Sequence, residues 1–311
     1  MKIKKCFFEK LHSLKIVWLI IPIFFISIQA SEKNSDQATK MSEWGIKPVA
    51  ATNTAIGEEV RARITKTGEE ALLPYQFQPA EIEKIKQAKD FMKKGVDNWD
   101  PESLKKAREE FLGLLTKGNQ DNLYLLYYVA LSDYRLANYF LSSNEPDKVA
   151  PYLKEGQKCL EKAMQIAPDF GELDAIYSLL LAFEINLDQE KGRSLGFQIY
   201  QYMNKALEKS PANPRVQYLK GVSDLFTPQQ YGGGPNAAIK YLSRSLELFK
   251  KEDVQDPVKP SWGEDEAYTF LGVACTKIGE TEKAREAFKS ALKINPEFGM
   301  AKSELEKLEK K

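Results

Sequence analysis

The sequence predicts an all-α solenoid of about five helical hairpins closed by a C-terminal capping helix. Two observations carry that prediction. A 34-residue unit from Asp265 to Phe298, DEAYTFLGVACTKIGETEKAREAFKSALKINPEF, has the layout of two helices joined by a tight turn. Degenerate copies of it run back to about Ala80, and self-similarity at such a period is the mark of a stacked repeat architecture.

Residues 1–30 come first. They hold five lysines (Lys2, Lys4, Lys5, Lys10 and Lys15) and one acid, followed by the apolar run Ile16–Ile28 and then Gln29-Ala30. A basic start, a short apolar stretch and a small residue read as a secretory signal cleaved after Ala30. Thirteen apolar residues fall short of the about 20 that a membrane helix needs, and Pro22 interrupts them. The expectation is an exported protein, periplasmic or secreted, with no stable membrane insertion once the signal is cut; an uncleaved N-terminal anchor is the lesser reading. Cys6 precedes the apolar run and cannot serve as an acylation site. Residues 31–79 read as a linker, mostly flexible, with weak helical character at 57–73.

The repeat domain is expected over 80–311. Its first unit, about Ala80–Gln120, carries Ala107, Phe111 and Leu114 in its second helix. The second, Leu123–Pro168, has Ala130, then Gly156, Leu160 and Ala163; the third, Gly171–Pro211, has Ser178, then Met203 and Ala206. The fourth, Pro214–Glu252, has Gly221, then Ala238, Leu242 and Ser245. These units exceed 34 residues because loops are inserted at 141–148, 186–194 and 227–235. In the last unit Gly272 lets two helices approach, Phe288 fills the space between them, and Pro296 ends the hairpin. From Gly299 onward a charged helix with Met300 and Leu305 turned inward reads as the cap that such arrays require.

In the last unit, Tyr268, Leu271-Gly272 and Cys275 at three-residue steps, then Ala284, Phe288 and Pro296, resemble the tetratricopeptide repeat family. Its pattern is W-x₂-L-G-x₂-Y, then A-x₃-F, then P. Tyr stands here for Trp and Cys for Tyr. The resemblance implies a tetratricopeptide-type helical-hairpin solenoid used as a binding scaffold, with the first helix of each hairpin lining a concave face.

Helical spacing from the small packing residue then gives the inner set. It comprises Tyr124, Tyr127, Leu131, Tyr134 and Arg135; Glu172, Ala175, Leu179 and Phe183; Arg215, Tyr218, Val222 and Phe226; and Glu266, Thr269, Val273 and Lys277. Of these, Tyr124, Tyr127, Tyr134, Arg135, Leu179, Phe183, Arg215, Tyr218 and Phe226 are the candidate partner-binding residues, since Tyr and Arg are enriched at binding hot spots. The competing reading is that several are core residues packed under the inserted loops. Tetratricopeptide domains that hold a chaperone's C terminus use lysines and asparagines in this groove; Lys277 alone matches, so that clamp is not expected.

Chemistry is not expected. The only histidine, His12, lies in the signal, which removes Ser–His and Cys–His pairs from the mature chain. Cys159 and Cys275 lie several repeats apart and read as buried thiols, so no metal site or cofactor is predicted. The turn Tyr231-Gly232-Gly233-Gly234-Pro235 lacks the Lys-Ser/Thr of a phosphate-binding loop and reads as a helix connector with Pro235 starting a helix. Nucleic acid is not an expected partner: removing five lysines and one acid from totals of 45 and 44 leaves the remainder at a net charge of −3. The expected function is a non-enzymatic scaffold that binds a protein or peptide segment in the cell envelope. The alternative is a carrier for a small apolar ligand, or a solute-transport accessory, in which the inserted loops close the groove into a pocket.

Overall fold

The computed structural model describes residues 77–116 and 121–310. The readings of 1–30 as a signal and of 31–76 as linker lie outside the described residues. Eleven α-helices follow in order among the described residues: α1 (Pro79–Asp97), α2 (Pro101–Leu115), α3 (Leu123–Ser142), α4 (Ala150–Ile166), α5 (Gly171–Leu187) and α6 (Gly192–Lys209); then α7 (Pro214–Phe226), α8 (Pro235–Phe249), α9 (Glu264–Lys277), α10 (Thr281–Ile294) and α11 (Gly299–Glu309). Each odd helix packs antiparallel-hairpin fashion on the even one after it, and α11 packs on α10. Five hairpins and a cap result.

The helix starts are written in the sequence. Pro79, Pro101, Pro214 and Pro235 each stand in the first turn of their helix, where a missing N–H has no consequence. Asp100, Asn122 and Asn213 cap α2, α3 and α7 by accepting from backbone N–H groups at 2.9–3.2 Å. The three inserted loops each fold into a single 3₁₀ turn, at Pro146–Lys148, Gln189–Lys191 and Gln229–Tyr231. In the last of these Gly232 and Gly234 have φ of 85° and 99°, a conformation that favours glycine, and Pro235 opens α8.

Hairpin packing depends on residues without side chains. A Cβ on Gly272 would lie 2.4 Å from the ring of Phe288, and one on Gly221 would lie 2.6 Å from Leu242 Cγ. Phe288 is fully buried between α9 and α10 with Cys275, Ala284 and Leu308. Both cysteines are free and buried, and burial pushes the Cys159 thiol up to about 12. In α11, Ala301 and Leu308 form the buried side while Met300 and Leu305 are partly buried against the same core.

The array does not end where its cap ends. The side-chain amide of Asn295, after α10, donates to Asp97 at the end of α1 (2.7 Å) and to Asp265 in α9 (2.6 Å). Val96 packs with Ala291, Phe298 and Ala301. The first hairpin is therefore joined to the last. Replacing Phe288 by Ala is expected to cost about 3–5 kcal/mol of local stability. Hydrogen exchange of the α9 and α10 amides reads it, and unchanged protection would contradict the packing described.

Candidate binding face and the strap that fills it

The first helices α3, α5, α7 and α9 lie side by side as an inner layer. Almost every residue of α3 and α5 is buried, as expected for helices covered on all sides. What covers them includes a segment that helical periodicity does not reveal: residues 251–263, between α8 and α9. This strap turns at its tip through Asp256, whose carboxylate accepts from Val258 N at 2.8 Å, and returns to α9 through Gly263 at φ 107°.

At the tip, Lys89 of α1 donates to the carbonyls of Pro257 and Lys259, each at 2.9 Å, and the Tyr128 hydroxyl donates to the Val258 carbonyl at 2.8 Å. The Val258 side chain is buried, and so is Pro260. At the base, the Arg215 guanidinium pairs with Glu252 (2.9 Å from Nη1) and reaches the Trp262 carbonyl at 3.4 Å. Its Nε donates to Glu172 at 2.8 Å. Glu172 also accepts from Tyr127 and from Asn213, both at 2.7 Å, and the Trp262 indole N–H donates to the Tyr127 hydroxyl at 2.7 Å. The Trp262 ring lies 4.9 Å from the Arg135 guanidinium and edge-on to Tyr218. Arg135 in turn makes a two-pronged pair with Glu266, both bonds 2.6 Å, and Tyr218 donates to the same carboxylate at 3.0 Å.

Electrostatics follow from burial. Desolvation alone would lower both guanidinium groups. Glu266 beside Arg135, and Glu172 with Glu252 beside Arg215, more than offset it and hold both above the ordinary arginine value. Burial, reinforced by Glu172 for Tyr127 and by Glu266 for Tyr218, pushes those two hydroxyls well up, so they act as neutral donors. Lys89 is pushed down to about 8 by burial, with Asp256 drawing it part of the way back.

The nine candidate residues are therefore placed as follows. Tyr127, Arg135, Arg215 and Tyr218 hold the strap or its anchoring carboxylates. Tyr134 and Phe183 stack on each other at 5.4 Å, and Leu179 is buried beside them on the inner layer. Tyr124 and Phe226 are half-buried. The chain's own strap covers this face. The loop that does so is 251–263, not the inserted loops at 141–148, 186–194 or 227–235. Beyond the strap a cavity of about 220 Å³ remains at the ends of α7 and α9, among Phe226, Phe270, Val273, Lys277, Met300 and Glu304.

Sequence reasoning found the inner arginines and tyrosines and missed the strap residues Glu252, Val258 and Trp262 and the groups that hold its tip, Lys89 and Tyr128. The available signal was compositional. Within the polar stretch EDVQDPVKPSWG, Val258 and Trp262 alternate with Pro257 and Pro260, which is more apolar than a mere connector needs.

Removing Arg215 leaves Glu172 and Glu252 without their cation, so Arg215→Met is expected to lower stability by about 3–5 kcal/mol in denaturant unfolding. A loss no larger than that of an exposed arginine would contradict the network. Lys89 gives a pH signature. A base with a lower value folded than unfolded binds its proton more tightly unfolded, so stability rises from about pH 8 towards 10.5. Urea midpoints should climb between pH 8 and about 9.5 in the wild type and climb less in Lys89→Met. Equal climbs would remove Lys89 as the cause.

The sequence signature of the tetratricopeptide repeat matches residues 265–298. No curated protein matches by sequence. Among solved structures, the HusA haemophore from Porphyromonas gingivalis is 22% identical, covering 66% of this chain and 96% of its own, with a TM-score of 0.52. A tetratricopeptide protein of Thermus thermophilus is 16% identical over 71% of this chain and 98% of its own, with a TM-score of 0.46. Yeast Tom70 is 13% identical over 87% of this chain and 69% of its own, with a TM-score of 0.33. The chain carries a tetratricopeptide repeat in its last hairpin, and four further helical hairpins precede it in an all-α array among the described residues.

Proposed function

We propose that this protein is a non-enzymatic, exported scaffold whose inner face receives an extended segment of a protein partner, the strap holding that place until the partner takes it. Tetratricopeptide-type solenoids generally serve as protein-interaction scaffolds. The export half of the proposal rests on residues 1–30, with their basic start and short apolar run.

The observation that carries the reading is how the strap is held. Lys89, Tyr128 and Arg215 bind it through main-chain carbonyls, and one aromatic anchor, Trp262, is seated between Arg135, Tyr127 and Tyr218. Main-chain carbonyls are common to every extended segment, while an aromatic anchor, here partly buried, is the typical hot spot of an interface. An inner face built in this way suits a peptide. A partner must still displace the strap, so its apparent affinity is reduced by the fraction of molecules in which the strap is released.

A small-ligand carrier is less well supported. The cavity left beside the strap, about 220 Å³, falls below the roughly 300–1,000 Å³ of small-molecule sites.

The test replaces 252–262 by a short Gly/Ser linker and adds a synthetic peptide of residues 251–263. Saturable binding is expected, and it should be lost when the peptide carries Ala in place of Trp262 and Val258. A strapless protein that keeps its far-ultraviolet dichroism and cooperative melt yet binds no peptide would reject the reading. Should the strapless protein not fold, Trp262→Ala in the intact chain takes its place. It is expected to speed hydrogen exchange in the strap and to admit the peptide; failure of both rejects the proposal.

A further inference from the structure

A second concavity, of about 440 Å³, lies between α2 and the turn that joins α3 to α4. That volume is within the range of small-molecule sites. Six residues line it: Lys105, Arg108, Phe140, Lys148, Pro151 and Tyr152. Three are cations and none is a carboxylate, in a chain whose acids and bases are otherwise nearly balanced.

The floor is aromatic. Phe140 is buried and stacks on Tyr152 at 5.6 Å with an angle of 14° between the rings. The cations gather on these rings: Lys148 Nζ and Lys105 Nζ lie 5.3 and 5.8 Å from the Phe140 centroid, and the Arg108 guanidinium lies 5.6 Å from that of Tyr152. Acids stand around the site without lining it. Glu102 bonds Lys105 at 2.8 Å and Glu145 pairs with Lys148, both as i,i+3 neighbours on the surface, with Glu102 76% exposed. Such pairs are worth about 0–1 kcal/mol and yield readily to a better anion. Glu155 is the other acid near Arg108.

Arg108 differs from the lysines. It is only 20% exposed and gives Nε to the buried carboxyl group of Asp133. That bond uses one of its nitrogens; among the described residues its two terminal NH₂ groups have no protein acceptor. Burial pushes Asp133 up to about 7, against the pull of Arg108.

We propose that this concavity is an anion-binding site for a phosphomonoester, its oxygens held by Lys105, Lys148 and the terminal NH₂ groups of Arg108, with the ester's organic group on the Phe140–Tyr152 floor. A tetrahedral dianion takes donors from several directions, and a planar guanidinium supplies two of them in parallel. The site is separate from the strapped inner face and does not depend on the function proposed for it.

The test is calorimetric titration of the full chain, at low ionic strength, with phenyl phosphate, inorganic phosphate and benzyl alcohol. Phenyl phosphate is expected to bind more tightly than phosphate, and benzyl alcohol not at all. The double variant Lys105→Gln/Lys148→Gln changes exposed side chains only, and removing both contacts is expected to weaken phenyl phosphate by roughly a hundredfold, tenfold for each. Arg108→Lys keeps the charge without the planar fork and should weaken it further. No saturable binding at millimolar phenyl phosphate, or equal affinity in the double variant, overturns the proposal. Equal affinity for phenyl phosphate and phosphate overturns the role of the aromatic floor. Binding to phosphatidic acid vesicles without binding of the soluble ester overturns the assignment to a small molecule.

Discussion

Arg215 is almost fully buried, 4% exposed, and carries a charge that it cannot shed. An isolated ion so placed would be very costly, so the inner layer is arranged around its neutralisation. Glu172 from α5 takes Nε, Glu252 from the foot of the strap takes the terminal nitrogens, and the Trp262 carbonyl takes a share of one of them. Each carboxylate then needs its own remaining donors. Glu172 finds them in Tyr127 of α3 and Asn213 at the start of α7. One guanidinium thereby fixes where three helices stand relative to the strap, and Tyr127 extends the chain of bonds to the Trp262 indole.

The consequence is a solenoid that departs from nearest-neighbour coupling. In an open array each repeat touches only the next, and stability is close to a sum of repeat and interface terms. Here the strap leaves the junction of the fourth and fifth hairpins and is tied to Lys89 in the first and Tyr128 in the second. Asn295 joins the last hairpin to Asp97 of the first. Contacts of such sequence separation make the hairpins unfold together, and they make closure of the array a late event in folding, since long loops must be ordered before these bonds form.

What was legible in the sequence is what local physics dictates. Gly272 opposite Phe288, the Ala-lined second helices and the turn at 231–235 with Pro235 starting a helix each depend on residues within one hairpin, so spacing alone exposes them. The inner arginines and tyrosines were legible as a set because helical spacing brings them to one face. Their occupant was not, because the strap has no period and its partners are up to about 170 residues away, as Lys89 and Lys259 show. The charges at the inner positions carry a signal of internal pairing, not of the strap. Arg135, Glu172, Arg215 and Glu266 alternate in sign from helix to helix, and opposite charges at facing buried positions are more often each other's partners than a stranger's.

That internal pairing also bears on what a partner would meet. Arg135 is neutralised by Glu266 within the inner layer, while Arg215 divides its guanidinium between Glu172 of that layer and Glu252 of the strap. Releasing the strap would return Glu252 and the terminal nitrogens of Arg215 to water, expose the hydroxyl of Tyr127 and the rings of Tyr218 and Tyr128, and leave the Arg135–Glu266 and Arg215–Glu172 pairs standing. The cost of opening would be set by the Trp262, Val258 and Pro260 surface returned to water, by the Arg215–Glu252 pair and by the carbonyl bonds at the tip. On the proposed reading, a segment offering the same apolar surface and the same carbonyls would regain both, so exchange of one occupant for another would be close to balanced. Selectivity would then rest, on the same reading, on the anchor seated against Tyr127, Arg135 and Tyr218, where a flat aromatic group is held on its face by a cation and at its edge by a hydroxyl.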